Sequence, residues 1–390
     1  MKIALVHDAL NQYGGAEKVL EEFHALYPDA PVFCPVYLPG AMPRAFDAWD
    51  IRPSWLARLP GANRYHRAVF PLYPYAMHSL DLTGYDLILS SSFNFAHNVA
   101  GDAEACHVCY CHSPSRFLWD FHNYARREGF SAVKRAAVLP FLPHLRAQDT
   151  ASAHRVDRWI ATSRAVQRRV LKTYRRRSTI IPPPVDIDAF HTARTHDRYL
   201  LVLMRLVPWK RADIVIEACN ALGLPLVVAG DGRDRTRLER MAGPTVRFVG
   251  RVEGAAKAKL FADCAAFVLP AAEDFGITPL EAMASGRPVI ALGQDGALDT
   301  VVPGVTGEFF EEQTASSLAA VLRRFDPDAY DPQAIRAHAE TFGSARFRER
   351  IHDLVTSAYR RHRSALTGPP PALSPAARSA GLRVVARAPA

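Results

Sequence analysis

Apolar residues in this chain fall into short runs separated by stretches of helical periodicity. MKIALVHD reads as a buried strand and NQYGG as a tight turn, and AEKVLEEFHALY puts Val19, Leu20, Phe23 and Leu26 on one helical face. A βα unit is predicted at the start. YDLILSSS, ACHVCYC and RVDRWIATS repeat the apolar run between polar or helical segments, the pattern of a parallel sheet covered by helices. Residues 1–190 are therefore expected to form a Rossmann-like first domain.

Three prolines in IIPPPVDIDAF stop regular structure, and the βα rhythm restarts at RYLLVLMRL, which places a domain boundary within 186–197. LPLVVAG, TVRFVG, CAAFVLP and RPVIAL follow as strands with helical patterns between them, so residues 191–343 read as a second doubly wound α/β domain facing the first across a cleft. Phe347, Ile351, Leu354 and Tyr359 mark an amphipathic helix over 344–366, expected to pack back on the first domain. Residues 367–390, rich in Pro, Ala and Arg, are expected to be a disordered basic tail.

A length of 390 residues with 49% hydrophobic and 22% charged composition suits two domains, each able to bury a core. No 18-residue apolar run and no signal-peptide pattern occurs, so a cytosolic protein that does not span a membrane is expected. Six cysteines in that compartment should stay reduced. The net charge of +9 is uneven: residues 1–185 hold 22 Lys/Arg against 15 Asp/Glu, and the remainder 26 against 24. Such an excess suits nucleic acid, a phosphorylated substrate, an anionic membrane, or simply a solvated Arg-rich surface.

The chemistry concentrates in PAAEDFGITPLEAMASGRPVIA. A strand ends at Pro270, a loop carries Glu273, and a helix starting near Thr278 carries Glu281, with seven residues between the two glutamates. A loop at a strand's C-terminal edge is where open α/β sheets bind ligands, and the N–H groups of Phe275, Gly276, Ile277 and Thr278 lie at a helix start suited to an anion. A ligand with both a phosphate and a polyol fits this description; on spacing alone, solvated acids at a helix start fit equally. In LVLMRLVPWKRADIVIEA, Arg205 and Lys210 sit at the same rim, placed to neutralise a diphosphate without a metal.

EDFGITPLEAMASGRPVIA, MRLVPWKRADIVIEA, VVAGDGRDRTRLE and GALDTVVPGVTGEFF together resemble the C-terminal half of the family-4 retaining glycosyltransferases of GT-B architecture, and GGAEKVLE and HSPSRFLWDFHNY extend the resemblance toward the N-terminus. The resemblance implies donor-sugar contacts for Glu273, a ribose contact for Glu281, and diphosphate binding by Arg205 and Lys210. It also implies backbone donors from Phe275, Gly276, Ile277 and Thr278, a nucleobase border at Gly250 and Arg251, and a glycine loop at Gly14 and Gly15 that meets the donor phosphate across the cleft. One departure is that Met204 stands where the family usually has glycine before the arginine. Retaining transfer in this family is thought to need no protein nucleophile, so catalysis reduces to positioning and electrostatic stabilisation. No cofactor or metal is expected, and Asp186-Ile187-Asp188 reads as part of the interdomain linker.

CHVCYCH looks like a metal cluster, but strand alternation puts His107, Cys109 and Cys111 on one face and Cys106, Val108, Tyr110 and His112 on the other, so the ligands diverge. His112, at the strand's end in YCHSPSRFLWD, resembles the active-site histidine beside the transferred sugar, and Arg116, Trp119 and Asp120 after it are expected to shape an acceptor pocket. The segment most resembles bacterial enzymes that transfer mannose from GDP-mannose in O-antigen or exopolysaccharide assembly, with a UDP-sugar as the alternative donor. Acceptors there are commonly polyprenyl-diphosphate-linked saccharides, which implies peripheral contact with an anionic membrane. RAVQRRVLKTYRRR, residues 164–177, suits either that contact or a solvated helix. A nicotinamide dehydrogenase is not expected because no strand leads into G-x-G-x-x-G with an acid about twenty residues on, nor is nucleic-acid binding, because no helix-turn-helix or RNP signature occurs.

Overall fold

The computed structural model describes residues 1–59, 69–193 and 195–367. The expected basic tail, from residue 368 onward, lies outside the described residues.

Seven parallel strands form the first sheet: β1 (Ile3–His7), β2 (Val32–Cys34), β3 (Ile51–Pro53), β4 (Leu87–Ser92), β5 (Cys106–Cys111), β6 (Arg158–Ala161) and β7 (Ser178–Ile180), in the order β3-β2-β1-β4-β5-β6-β7. Six more form the second: β8 (Leu200–Leu203), β9 (Leu226–Ala229), β10 (Val246–Gly250), β11 (Ala266–Leu269), β12 (Val289–Leu292) and β13 (Gly307–Phe310), in the order β10-β9-β8-β11-β12-β13. Both orders reverse direction next to the first strand of the domain, between β1 and β4 and between β8 and β11. Crevices open at such switch points, outside the strands' C-terminal ends.

The near-continuous apolar runs follow from burial on both faces. In β5, Cys106, Val108 and Tyr110 join the core with Leu5, Leu20 and Phe23, while Cys109 and Cys111 pack with Trp159, Val166 and Tyr174 on the opposite face. All six cysteines are buried free thiols.

The helix Ser344–Thr367 lies against the first sheet, not the second. Phe347 stacks on Phe23 at 6.1 Å and meets Tyr110 edge-on at 5.8 Å, and Ile351, Val355 and Ala358 enter the same core. Each large apolar side chain so buried stabilises by about 1.5–3 kcal/mol. Arg348 Nη1 reaches Glu22 Oε2 at 2.5 Å, and Arg350 donates to the Ile180 carbonyl at 2.7 Å. The linker aspartate Asp186 accepts the Ala189 N–H at 3.3 Å, a local turn bond.

Candidate active site

The two switch points face each other, and the loops after β1 and β5 of the first domain and after β8 and β11 of the second supply the site. Glu273 stands on the loop between β11 and the helix Ile277–Ala284, and its carbonyl accepts the Gly296 N–H at 2.9 Å. That approach requires glycine: a Cβ on Gly296 would stand 2.3 Å from Phe275 Cα. Gly276, at φ +87°, turns the chain into the helix. The N–H groups of Gly276, Ile277 and Thr278 point out of the helix start with no acceptor among the described residues. Phe275 itself faces the core, 6.0 Å from the Phe342 ring, so only its backbone is available to a ligand.

Lys210 Nζ lies 2.7 Å from Glu273 Oε1. Arg205, directly after β8, is exposed, and its guanidinium has no partner among the described residues. Glu281 is almost completely buried on the first turns of its helix and is held from two sides, by Lys257 Nζ at 2.5 Å and by Lys18 Nζ at 3.4 Å. Lys18 comes from the first domain, on the helix that follows Gly14 and Gly15. A Cβ on Gly15 would stand 3.0 Å from Ile277 Cδ1, so the glycine loop meets the anion-binding helix start across the cleft.

His112 closes the first-domain side. Its Nε2 is 2.9 Å from Ser91 Oγ, and its N–H donates to the Ser92 carbonyl at 2.8 Å. Burial, reinforced by nearby His7 and opposed by Asp274, lowers its pKa to about 3, so the ring is neutral at physiological pH. Arg116 Nη2 crosses to Asp274 Oδ1 at 2.5 Å, next to Glu273. Trp119 spends its one donor inward, on buried Asp149 at 2.8 Å, and Asp120 accepts from Asn123 at 2.7 Å. Of the three residues expected at an acceptor pocket, Arg116 alone is placed across the cleft with its charge. Arg251 is not brought to the site either: it pairs with Glu253 at 2.6 Å on the surface, while Gly250, at φ +73°, ends β10.

The segment read as a membrane contact is largely committed elsewhere. In the helix Arg164–Tyr174, Val166, Val170 and Tyr174 are core residues, Arg164 pairs with Asp299, and Arg169 pairs with Asp274 and, at 2.7 Å, with Asp295. It is an interdomain strut, and it leaves Arg168, Leu171, Lys172, Arg175 and Arg177 exposed.

Several residues here carry no signal in the sequence. Lys257 lies on the helix Gly254–Asp263 in GAAKAKL, indistinguishable from a solvated lysine. Lys18 sits three positions past Gly15, in GGAEK, and that proximity was its only cue. His7 and Glu17, both buried, meet at 3.3 Å beneath the glycine loop. At the N-terminal end of β5, on the far side of the first sheet from the cleft, Cys106, Asp157 and His362 bring three ligand-capable atoms within 4.8 Å of one another, but burial first, then Asp157, raises the Cys106 thiol to about 12.

The family model for glycosyl transferases group 1 matches residues 186–341, and that for glycosyltransferase family 4 matches residues 13–189. The chain belongs to the family-4 glycosyltransferases. Among curated relatives, a GDP-mannose-dependent alpha-mannosyltransferase of Mycolicibacterium smegmatis is 31% identical over 215 residues, 55% of this chain and 52% of that protein. A GDP-mannose-dependent monoacylated alpha-(1-6)-phosphatidylinositol monomannoside mannosyltransferase of Corynebacterium glutamicum is 30% identical over 194 residues, 41% of this chain and 51% of that one. The chain thus spans about half the length of the curated relatives it matches. Among solved structures, Anabaena Alr3699/HepE in complex with UDP superimposes with a TM-score of 0.68 at 19% identity, over 92% of this chain and 100% of that one. Sucrose-phosphate synthase from Thermosynechococcus elongatus gives 0.70 at 18% identity, over 93% and 100%. These likenesses establish the GT-B fold of this family-4 member: two parallel-sheet Rossmann-like domains.

Proposed function

We propose that this family-4 glycosyltransferase moves a hexosyl group, with retention, from a nucleoside diphosphate sugar to a saccharide acceptor, and that the donor is GDP-mannose. The observation that carries the reading is the convergence of Arg205, Lys210, Glu273, Glu281 and the N–H groups at Ile277 on one pair of facing switch points. Arg205, Lys210 and the helix start offset the diphosphate charge that grows as the sugar leaves. Glu273 accepts from sugar hydroxyls, Glu281 from the ribose, and neutral His112 offers a hydrogen bond beside the sugar. No protein nucleophile is assigned and no metal is required, so transfer should persist in EDTA.

The mannosyl relatives support GDP-mannose, and a UDP-sugar is the alternative. A thermal-shift panel of GDP-mannose, UDP-glucose and UDP-galactose decides between them, because a bound donor raises stability with the logarithm of its concentration over Kd. Stabilisation by a UDP-sugar alone would replace the mannose assignment, and stabilisation by none would remove the donor site.

The proposed acceptor is a polyprenyl-diphosphate-linked saccharide of bacterial polysaccharide assembly, reached at the membrane surface. A surface other than residues 164–177 supports this. Val133 and Phe141 are 78% and 59% exposed, Leu139 is exposed beside them in the chain, and Lys134 and Arg135 lie between, with no acidic residue from Ser131 to Arg146. Apolar side chains interleaved with cations match an anionic lipid surface. Flotation with phosphatidylglycerol vesicles tests it: Val133→Glu/Phe141→Glu should abolish binding and leave nucleotide affinity intact. Among the described residues no helix is long and apolar enough to cross a membrane.

A further inference from the structure

We propose that Arg116, Arg127 and Arg169 form a second anion subsite, distinct from the one that takes the donor's diphosphate, and that it holds a phosphate or diphosphate carried by the acceptor. This rests on the glycosyltransferase reading above and names the chemistry of its acceptor.

Two guanidinium groups from the first domain bond one carboxylate of the second, and a third lies within its field. Arg116 Nη2 and Arg169 Nη1 bond the same oxygen, Asp274 Oδ1, and Arg169 Nη2 also reaches Asp295 Oδ2 at 2.7 Å. Arg127 stands in the field of both arginines and of Asp120 and Asp274, with its guanidinium 5.7 Å from the Trp209 ring centroid. Among the described residues no carboxylate lies within ion-pair distance of it. Burial first, then Arg116, lowers the Arg127 pKa, as expected of a cation short of counter-charge. Its backbone is held from the second domain, where Arg233 donates to the Arg127 and Glu128 carbonyls.

Clustered guanidiniums repel one another unless an anion with several oxygens joins them, and planar forks suit the oxygens of a phosphate. Asp274 gives two of these arginines a single shared oxygen and contributes no direct bond to the third. A phosphate would serve all three.

The position assigns the ligand. Asp274 directly follows Glu273 and bears electrostatically on His112, so the trio borders the sugar end of the cleft. Arg205, Lys210 and the helix start, all from the second domain, already answer the donor's diphosphate. A cation cluster from the opposite domain, beside the transferred sugar, faces the incoming molecule. It also lies just upstream in the chain of the exposed apolar and basic stretch at Ser131 to Phe141, which suits an acceptor whose phosphate is joined to a lipid.

The test uses the full chain saturated with whichever nucleoside diphosphate the thermal-shift panel identifies, so that the donor's diphosphate site is filled. Inorganic pyrophosphate is then titrated by calorimetry. One pyrophosphate per chain is expected, weakened at least about tenfold by Arg127→Ala, while nucleotide affinity and the behaviour of a control, Arg168→Ala, stay unchanged. Nucleotide binding in the variant reports that it is folded. Uptake that is absent, or equal in Arg127→Ala and the parent, overturns the subsite. Failure of every nucleotide to bind strikes the glycosyltransferase reading itself, and the acceptor assignment falls with it. Competition separates the sources: displacement by farnesyl diphosphate indicates a lipid-linked acceptor and displacement by glucose 6-phosphate a soluble one. Displacement by neither overturns the acceptor role.

Discussion

Lys210 Nζ sits 2.7 Å from Glu273 Oε1, each side chain about one-fifth exposed, so a cation for phosphate and a carboxylate for hydroxyls hold each other in place. Removing either loses its own contact and releases the other from position. Glu273→Ala and Lys210→Ala should each lower transfer by roughly 10²–10³-fold, about 2.7–4 kcal/mol of barrier, the scale of losing one preorganised electrostatic group. Steady-state kinetics with a thermal melt beside it reads the effect. Undiminished transfer by Glu273→Ala would remove Glu273 from the site.

His112 and Cys109 lie three residues apart with opposite surroundings. His112 faces the cleft, bonded to Ser91, whereas Cys109 is fully buried among Trp159, Val166 and Tyr174. His112→Ala should damage transfer with little change in melting temperature. Cys109→Ala should leave transfer intact and cost about 1–2 kcal/mol, the scale of losing one buried heavy atom. The reverse pattern in paired kinetics and melts would put the chemistry elsewhere.

Acid should weaken the fold through buried neutral histidines. Burial, with His97 and Arg155 nearby, lowers the pKa of His107 from the usual imidazole value near 6.5 to about 3. Above pH 6.5 both folded and unfolded chains hold it neutral. Below that, the unfolded chain takes up a proton that the folded one refuses, so stability falls as pH drops from 6.5 toward 3. At pH 5 this single group costs about 1–2 kcal/mol, and part-exposed His112 adds less. Urea denaturation at pH 7.5 and pH 5.0 should show a smaller drop for His107→Gln; an identical drop would exonerate His107.

The closed cleft is held mainly by charge: Arg116 and Arg169 on Asp274, Arg169 on Asp295, Arg164 on Asp299, and Lys18 on Glu281. Among neutral bonds, Ser163 Oγ donates to the Asp274 carbonyl at 2.6 Å. Part-exposed pairs weaken as salt shortens the screening length from about 10 Å at 0.1 M to about 3 Å at 1 M. X-ray scattering should therefore show a larger radius of gyration at 1 M than at 0.1 M sodium chloride, with saturating nucleotide restoring the smaller value. A radius indifferent to salt would mean that the apolar contact of Gly15 with Ile277 and the neutral bonds suffice.

Local patterns made the fold readable. The apolar runs located nine of the thirteen described strands, whereas β2, β3, β7 and β13, three or four residues each, carry apolar runs too short to stand out. Strict alternation in CHVCYCH correctly separates Cys106, Val108 and Tyr110 from Cys109 and Cys111, because a two-residue period is a property of the strand alone. Glu273, Arg205 and Lys210 were legible as candidates because they stand on the loops after β11 and β8, and Glu281 because of its spacing to Glu273. Arg169 was not, since its partner Asp274 is 105 residues away, and a helix full of arginines reads the same whether they face water or another domain. The inward bond of Trp119 was hidden for a related reason: its indole N–H turns to Asp149, thirty residues on, a choice made by packing.

The chain leaves the first domain and returns to it at one place. Val185 donates to the Phe342 carbonyl at 3.0 Å and bridges in parallel to Gly343, so the outgoing and incoming segments run side by side before Ser344–Thr367 covers the first sheet. In terms of chain connectivity the second domain is an insertion. A fragment ended at residue 190 would leave Leu5, Phe23 and Tyr110 facing water where Phe347, Ile351 and Val355 belong, whereas the stretch between the paired crossings has neighbouring ends and can be excised or exchanged as a cassette.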